Sequence, residues 1–207
     1  MSAAVTSESK KGTYSMKKLL AAAALTLGAA MSAHAADANG FRFLVGAGLT
    51  FGGDTLITVP FTDGSHEDIK AGGLVHLYGG GEFRLGDQVA LQATIGYHVN
   101  DTSAASNGSV RFTRIPVDLL AMYQLNDTVR LGVGAQFVSG AELKGSGVAS
   151  NINAKFDSTT GVILEGEYLF SPKAGVKLRY VAEKFKPQNS STKIDGSQLG
   201  LMASYYF

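Results

Sequence analysis

The chain has 207 residues, a length that suits one domain, and it contains no cysteine. Disulfides, thiol nucleophiles and cysteine-ligated metals are therefore excluded. The formal net charge of +1 argues against nucleic-acid binding, which needs a concentrated basic surface. Hydrophobic residues make up 45% of the chain, yet no run of about 18 consecutive apolar residues predicts a transmembrane helix.

The N-terminal region has the pattern of a secretory signal peptide. Met16-Lys17-Lys18 is a basic start, and a short apolar run follows it at residues 19–30. Ala33-His34-Ala35 then has the small residues of a cleavage site. We therefore predict that the protein is exported and that its signal peptide is cleaved near Ala35.

From Phe41 onward, apolar side chains recur at every second position, which is the period of a β-strand. In the first strand, Phe41, Phe43 and Val45 share one face, and Arg42 lies on the other. Because successive side chains point to opposite faces of a sheet, the two faces meet different surroundings. The same alternation predicts eight strands, at residues 41–51, 69–85, 88–99, 111–125, 129–139, 156–170, 175–185 and 198–207.

The predicted connections alternate between short and long. Turn-forming residues make three of them tight, and the other four are long and polar. Short turns at one rim and long loops at the other are typical of outer-membrane barrels. The tight turns lie at Gly86-Asp87, Asn126-Asp127 and Ser171-Pro172-Lys173, and the long loops lie at residues 53–68, 100–109, 140–155 and 186–195.

These patterns predict the domain organisation. Residues 1–35 are a signal peptide, of which 1–15 are an upstream extension, because Met16 offers an alternative start to Met1. Residues 36–207 form one transmembrane β-barrel, an eight-stranded antiparallel up-and-down meander. Closure of the sheet leaves no unpaired backbone edge in lipid. An even number of strands returns both ends of the barrel to the short-turn, periplasmic side.

Charged residues cluster at alternate positions of the strands, and we predict that these positions face the barrel interior. The term parity is used here for the set of alternate positions whose side chains share one face of a strand. An arginine facing lipid at the bilayer midplane costs about 2–4 kcal/mol, so the apolar parity must face outward. An eight-stranded interior is just wide enough for side chains to fill, which predicts a salt-bridged plug. The last hairpin is expected to bring Glu167 near Lys177 or Arg179. Glu165 is expected near Arg179. The charged interior positions are Glu82, Asp118, Asp157, Glu165, Glu167 and Glu183 with Arg42, Arg84, Arg114, Arg130, Lys177 and Arg179.

Over residues 36–207 the pattern resembles the small outer-membrane barrels of the OmpA/OmpX type. At the terminus Tyr205-Tyr206-Phe207, an aromatic last residue follows apolar residues at alternate positions. This is similar to that family's assembly signal, carried by Tyr205 and Phe207. Arg114-Ile115-Pro116, opening a central strand, is similar to the generic outer-membrane β-barrel domain. The resemblance implies insertion by the barrel-assembly machinery, but no particular activity, because one fold hosts many functions.

Three functions stay open. We favour a non-enzymatic barrel with a structural or adhesin-like role, whose long loops contact host or phage surface ligands. A second hypothesis is an enzyme that modifies lipid A or phospholipid, for which the candidate residues are His98, Asp101, Ser103 and Ser106. They lack the His-x-Ser arrangement of lipid A deacylase barrels, so we assign no catalytic residue. A third hypothesis is a narrow ion channel.

Two smaller features concern ligands. Arg111, Lys184 and Lys186 have the outward parity at strand ends beside long loops, where cations meet lipopolysaccharide phosphates. Ordinary snorkelling to the membrane interface explains these positions equally well. His76 and His98 share the inward parity on strands joined by a tight turn, so we expect them to face each other. The spacing offers them no third ligand, so we expect no metal and no cofactor.

Overall fold

The structure is a computed structural model that describes residues 40–60, 66–104 and 108–207. The predicted signal peptide, its cleavage site and the candidate Ser106 lie outside the described residues. No helix within these ranges is long and apolar enough to span a membrane. The described residues form thirteen strands: β1 (Phe41–Gly52), β2 (Thr55–Pro60), β3 (His66–Lys70), β4 (Leu74–Arg84), β5 (Val89–Ala104), β6 (Gly108–Gln124), β7 (Val129–Gly147), β8 (Asn153–Lys155), β9 (Thr159–Ser171), β10 (Ala174–Ala182), β11 (Lys184–Phe185), β12 (Ile194–Asp195) and β13 (Gln198–Tyr206).

Eight of these strands close into one antiparallel barrel, in the order β1, β4, β5, β6, β7, β9, β10 and β13. Each barrel strand pairs with the next one along the chain. The last strand, β13, returns to pair with β1, with Leu44 opposite Tyr206 at one end of the seam and Gly52 opposite Gln198 at the other. The predicted eight-stranded antiparallel barrel is therefore confirmed.

The outer wall of the barrel is apolar, in agreement with the strand parity. Exposed side chains such as Leu91, Ile95, Leu119 and Leu201 cover its middle. Aromatic residues lie nearer the two ends, as in the interfacial girdles of outer-membrane barrels. They are Phe41, Phe43, Phe83, Tyr123, Tyr168, Phe170 and Tyr205 towards the tight turns, and Phe51, Tyr97, Phe137 and Tyr180 towards the long loops.

At the long-loop end the strands continue beyond their predicted bounds. β5 extends to Ala104 and pairs with β6 from Gly108 onward, so most of the predicted loop at 100–109 is strand. β7 extends to Gly147, and the short β8 pairs with its end. The prediction stopped too early for two reasons. The extension of β5 carries polar residues on both faces, so it lacks the alternation used to recognise a strand. The extension of β7 begins at Gly140, where a bulge interrupts the alternation.

The predicted strand at 69–85 is wrong in its first residues. β3 ends at Lys70 and pairs with β2, forming a hairpin that is separate from the barrel sheet. Asn100 Nδ2 donates to the Lys70 carbonyl oxygen at 3.2 Å, and Thr102 Oγ1 donates to Glu67 Oε2 at 2.5 Å. These bonds from β5 hold the hairpin against the barrel. The predicted loop at 53–68 is therefore mostly a folded hairpin.

A β-bulge in β7 changes which side chains face inward. Gly140 has a φ of +62°, and the pairing of β7 with β6 shifts between Thr113 and Ile115. Glycine adopts this left-handed conformation without the penalty that a Cβ imposes. The extra residue reverses the parity of the strand beyond it. Ala141 and Leu143 are therefore buried, although the parity of β7 inside the barrel would place them outward.

Candidate functional site

Paired charged side chains fill the barrel interior near the tight-turn end. The carboxylate of Glu82 accepts hydrogen bonds from Arg42 Nε at 2.7 Å and from Arg130 Nη1 at 2.8 Å. Arg130 also pairs with Glu167, to which the Tyr206 hydroxyl donates at 2.6 Å. Because Glu82 lies on β4 and Arg130 on β7, these contacts cross the lumen.

A second group of ion pairs surrounds Glu165 of β9. Its Oε1 lies 2.7 Å from Lys177 Nζ, and its Oε2 lies 2.6 Å from Arg179 Nε. Arg179 also reaches across to β6, where its Nη1 lies 2.5 Å from Asp118 Oδ2. The side chains of Glu165 and Lys177 are 0% exposed, so this group is enclosed by the barrel wall.

A third group lies around Arg114 at the long-loop end. Arg114 Nη1 is 3.0 Å from Glu183 Oε1, and its Nη2 donates to Gln198 Oε1 at 2.8 Å. Glu183 follows the last residue of β10, beyond the apolar outer wall. Burial raises the pKa of the Glu183 carboxyl to about 7, although the charge of Arg114 favours the ionised form.

The three groups make a plug in which the formal charges balance, since five acids face five bases. Gln92 links the first two groups, because it donates to Glu82 at 2.5 Å and accepts from Lys177 at 3.2 Å. Removing one member of such a buried pair strands the charge of its partner. The plug consists of Glu82, Asp118, Glu165, Glu167 and Glu183 with Arg42, Arg114, Arg130, Lys177 and Arg179.

Two residues predicted in the interior lie outside the plug. Arg84 is exposed at the end of β4 beside a tight turn, and within the described ranges no acidic group lies within salt-bridge distance of it. Asp157 is half-exposed at the long-loop end, with its Oδ2 3.9 Å from Lys186 Nζ. Both have the inward parity, but they lie beyond the enclosed part of the barrel, where parity no longer determines burial.

The pairings expected across the last hairpin are found in part. Glu165 lies opposite Arg179 in the β9–β10 register and pairs with it. Glu167 lies opposite Lys177, but its carboxylate pairs with Arg130 of β7 instead. Neighbouring β7 thus supplies a partner that the hairpin by itself does not reveal.

The two interior histidines lie directly opposite each other, as predicted, with their rings stacked 5.0 Å apart. His98 Nδ1 accepts from Arg114 Nε at 2.9 Å, and His98 Nε2 lies 2.7 Å from Thr50 Oγ1. His98 is 1% exposed inside β5, not in a loop, which removes it from contact with lipid. No cluster of three metal-ligating side chains occurs within the described part of the chain.

An apolar cluster, here called the cap, covers the plug at the long-loop end. Phe112, Phe156 and Phe185 pack edge to face, with ring centroids 5.4 to 6.1 Å apart. Ile69 of the β2–β3 hairpin packs against them and is 0% exposed. The guanidinium of Arg114 lies 5.2 Å from the Phe185 ring centroid, so the cap rests directly on the plug.

The sequence prediction missed the cap. It described this end only by its long polar loops, although Phe112, Phe156 and Phe185 lie within the predicted strands. A usable signal exists at the strand ends, since Phe112 and Phe185 have the inward parity just beyond the charged positions Arg114 and Glu183. An inward parity that changes from charged to apolar predicts a covered lumen.

The three cations predicted at the outer rim do not lie together. Arg111 Nη2 donates to Asp101 Oδ2 at 2.7 Å, which joins β6 to β5. Lys184 and Lys186 follow β10 and line a cleft of about 520 Å³ together with Lys193. Sequence reasoning missed Lys193 because it lies in a connection without periodic pattern.

Comparison with known proteins identifies the family. A model of the outer membrane protein beta-barrel domain matches residues 20–207. The chain belongs to this family. It is therefore an outer-membrane β-barrel protein, and the long-loop end of the family's barrels is extracellular. No curated protein sequence matches it.

Solved structures similar to this family member have low sequence identity. Ail, the attachment invasion locus protein of Yersinia pestis, was solved in complex with the heparin analogue sucrose octasulfate. It is 14% identical with a TM-score of 0.49, covering 81% of this chain and 97% of its own. Neisserial surface protein A is 12% identical with a TM-score of 0.48, covering 81% and 97%. OprG from Pseudomonas aeruginosa is 15% identical with a TM-score of 0.46, covering 82% and 96%.

The C-terminal residues lie at the tight-turn end of this barrel. The rings of Tyr205 and Phe207 pack against each other on the outer wall, with centroids 4.9 Å apart. Tyr206 lies between them in sequence but points inward and is 1% exposed. Recognition of Tyr205 and Phe207 as an assembly signal stays a prediction.

Proposed function

We propose that this outer-membrane barrel is a closed platform at the cell surface with a structural or adhesive role, and not a pore. The observation that carries this proposal is the plug, in which ion pairs join strands on opposite sides of the lumen. The cap adds a second layer over the plug. An open path for ions would have to pass both layers.

The folded extracellular end supports the surface role. The hairpin of β2 and β3 is fixed by the buried Ile69 and by its hydrogen bonds to β5. Binding to a rigid surface costs less conformational entropy than binding to a loop that becomes ordered in the complex. We therefore propose that host or phage surface ligands contact this end. In the same scheme, the signal peptide directs export, the barrel-assembly machinery inserts the protein, and outer-membrane lipid with lipopolysaccharide surrounds its wall.

Conductance tests the closed lumen. Purified protein in planar bilayers is expected to give no current steps above the bilayer background. The variant Glu167→Gln removes one partner of Arg130, and Asp101→Asn, which disrupts the pair at the rim, is the matched control. A steady current in the parent that rises in Glu167→Gln, with no change in Asp101→Asn, would instead support the narrow channel.

Intact cells test the surface role. Attachment to cultured host cells and adsorption of phage are compared between the parent and a variant with residues 55–70 replaced by a short Gly-Ser linker. The control variant replaces the tight turn Asn126-Asp127 with Gly-Gly, and a heat-dependent gel shift confirms folding. We expect binding to fall only in the hairpin variant. If cells without the protein bind host cells and phage as well as the parent does, the adhesive role is contradicted. If the acylation of lipid A differs between cells with and without the protein in mass spectra, the protein is an enzyme instead.

A further inference from the structure

Three lysines converge on one cleft at the extracellular rim. Lys184, Lys186 and Lys193 line a volume of about 520 Å³, and the hydroxyl-bearing residues Ser158 and Thr160 line it with them. All three lysines are exposed. Ammonium and hydroxyl groups are donors that suit a phosphate.

The neighbouring carboxylates neutralise the cleft only in part, since three lysines face Asp157 and Asp195. Asp157 Oδ2 lies 3.9 Å from Lys186 Nζ, and both side chains are 49% exposed, which makes a weak pair. Glu183 is directed towards Arg114 in the plug. Asp195, opposite Lys184, accepts a hydrogen bond from the Ser197 backbone at 2.9 Å. Within the described ranges, Lys184 and Lys193 lie in no salt bridge, so the cleft keeps positive charge.

An apolar groove of about 710 Å³ crosses the outer wall from Val89 and Tyr123, near the tight turns, to Leu199, and it includes the same two strands, β9 and β10. Leu164 and Tyr180 line the groove, while Thr160 and Ala182, further towards the rim on the same face, line the cleft. The floor of the groove is at Gly166, where an added Cβ would meet only Leu131 Cδ2, at 3.9 Å. The cationic cleft and the apolar groove thus follow one another along one face of the barrel.

We propose that this face binds lipopolysaccharide of the outer leaflet through its lipid A, with a phosphate in the lysine cleft and an acyl chain in the groove. Cations at a membrane surface attract anionic head groups, and an apolar groove beneath them fits the attached chain. Of the three rim cations predicted from the sequence, this site contains Lys184 and Lys186 but not Arg111, which is paired with Asp101. It also contains Lys193, which the sequence did not indicate. The inference goes beyond the closed surface platform and does not depend on it.

Binding of diphosphoryl lipid A to detergent-purified barrel, followed by native mass spectrometry, tests the proposal. The variant Lys184→Gln/Lys186→Gln/Lys193→Gln is expected to bind roughly tenfold more weakly or worse. Its control, with the same loss of charge, is Lys70→Gln/Lys144→Gln/Lys155→Gln, whose lysines are exposed on the same rim outside the cleft. The control is expected to bind like the parent.

A second pair of variants tests the groove. Gly166→Phe fills it and is expected to weaken lipid A binding several-fold. Gly79→Phe is the control on β4, where an added Cβ meets Val45 at an ordinary 3.6 Å. Inorganic phosphate is expected not to displace lipid A, because it lacks the chain. Equal binding by all variants, or equal loss in test and control variants, overturns the proposal, as does complete displacement by phosphate. If the parent is a dimer that only Gly166→Phe dissociates, and lipid A binding is unchanged, the face binds a second copy of this chain instead.

Discussion

Replacing Glu165 with glutamine is expected to destabilise the barrel more than any exposed charge change. Glu165 is the common partner of Lys177 at 2.7 Å and Arg179 at 2.6 Å. At such distances and an effective dielectric near 20, each pair attracts by about 6 kcal/mol, most of which offsets the cost of removing the ions from water. Glutamine removes the carboxylate that pairs with Lys177 and leaves its ammonium only neutral amide oxygens to donate to, such as Gln92 Oε1 at 3.2 Å. Stranding a buried charge in this way costs about 3–5 kcal/mol.

The measurement is the free energy of unfolding in urea, with the barrel refolded in detergent micelles and folding followed by the gel shift. The double variant Glu165→Gln/Lys177→Met also removes the stranded ammonium, so it is expected to regain most of the loss. Asp101→Asn disrupts the pair with the half-exposed Arg111 and is expected to cost less than about 1 kcal/mol. A Glu165→Gln barrel within about 1 kcal/mol of the parent would refute the view that the plug is a tightly coupled network.

Three further changes test the cap, the bulge at Gly140 and the buried carboxyl group of Glu183. Phe112→Ala leaves a void beside Phe185 and is expected to lower the free energy of unfolding in urea by about 3 kcal/mol. It is also expected to increase protease cleavage at the extracellular end, and an unchanged digest would contradict the role of the cap in holding that end together. At Gly140, an added Cβ meets nothing within 4 Å, so Gly140→Ala is expected to cost about 1 kcal/mol through its positive φ alone; no loss would mean that the bulge relaxes. Folding raises the pKa of Glu183 from 4.5 to about 7, so the folded barrel holds the proton of this carboxyl more tightly than the unfolded chain does. The resulting gain in the free energy of unfolding is complete below pH 4.5 and is lost as pH rises through 7. We therefore expect stability to fall over that range. Glu183→Gln is expected to flatten this pH profile, and an identical slope in parent and variant contradicts the assignment.

Strand parity by itself predicted the barrel and most of the plug. Positions such as Arg130 and Asp118 are charged where their neighbours on the opposite parity are apolar, and lipid permits only one orientation of that pattern. What parity does not determine is which partner a long side chain reaches. Glu167 illustrates this, since it lies opposite Arg130 on one side and Lys177 on the other, and it pairs with Arg130.

The extracellular end was harder to predict for two physical reasons. Outside the membrane both faces of a strand can meet polar surroundings, so the extension of β5 loses its alternation. The bulge at Gly140 then reverses the parity of β7, which buries Leu143 against expectation. The cap also joins Phe112, Phe156 and Phe185 from distant parts of the chain, and no local pattern links them.

The seam between β1 and β13 has a consequence for biogenesis. The other seven seams of the barrel join strands that follow one another in the chain, so each of them can form as a local hairpin. The seam that joins Leu44 to Tyr206 connects residues from opposite ends of the barrel sequence, and its loop-closure entropy is the largest of the eight. Until that seam forms, two strand edges have unpaired backbone groups, which hydrocarbon does not tolerate. Closing this barrel is therefore the step at which a growing sheet most needs a chaperone that shields its edges.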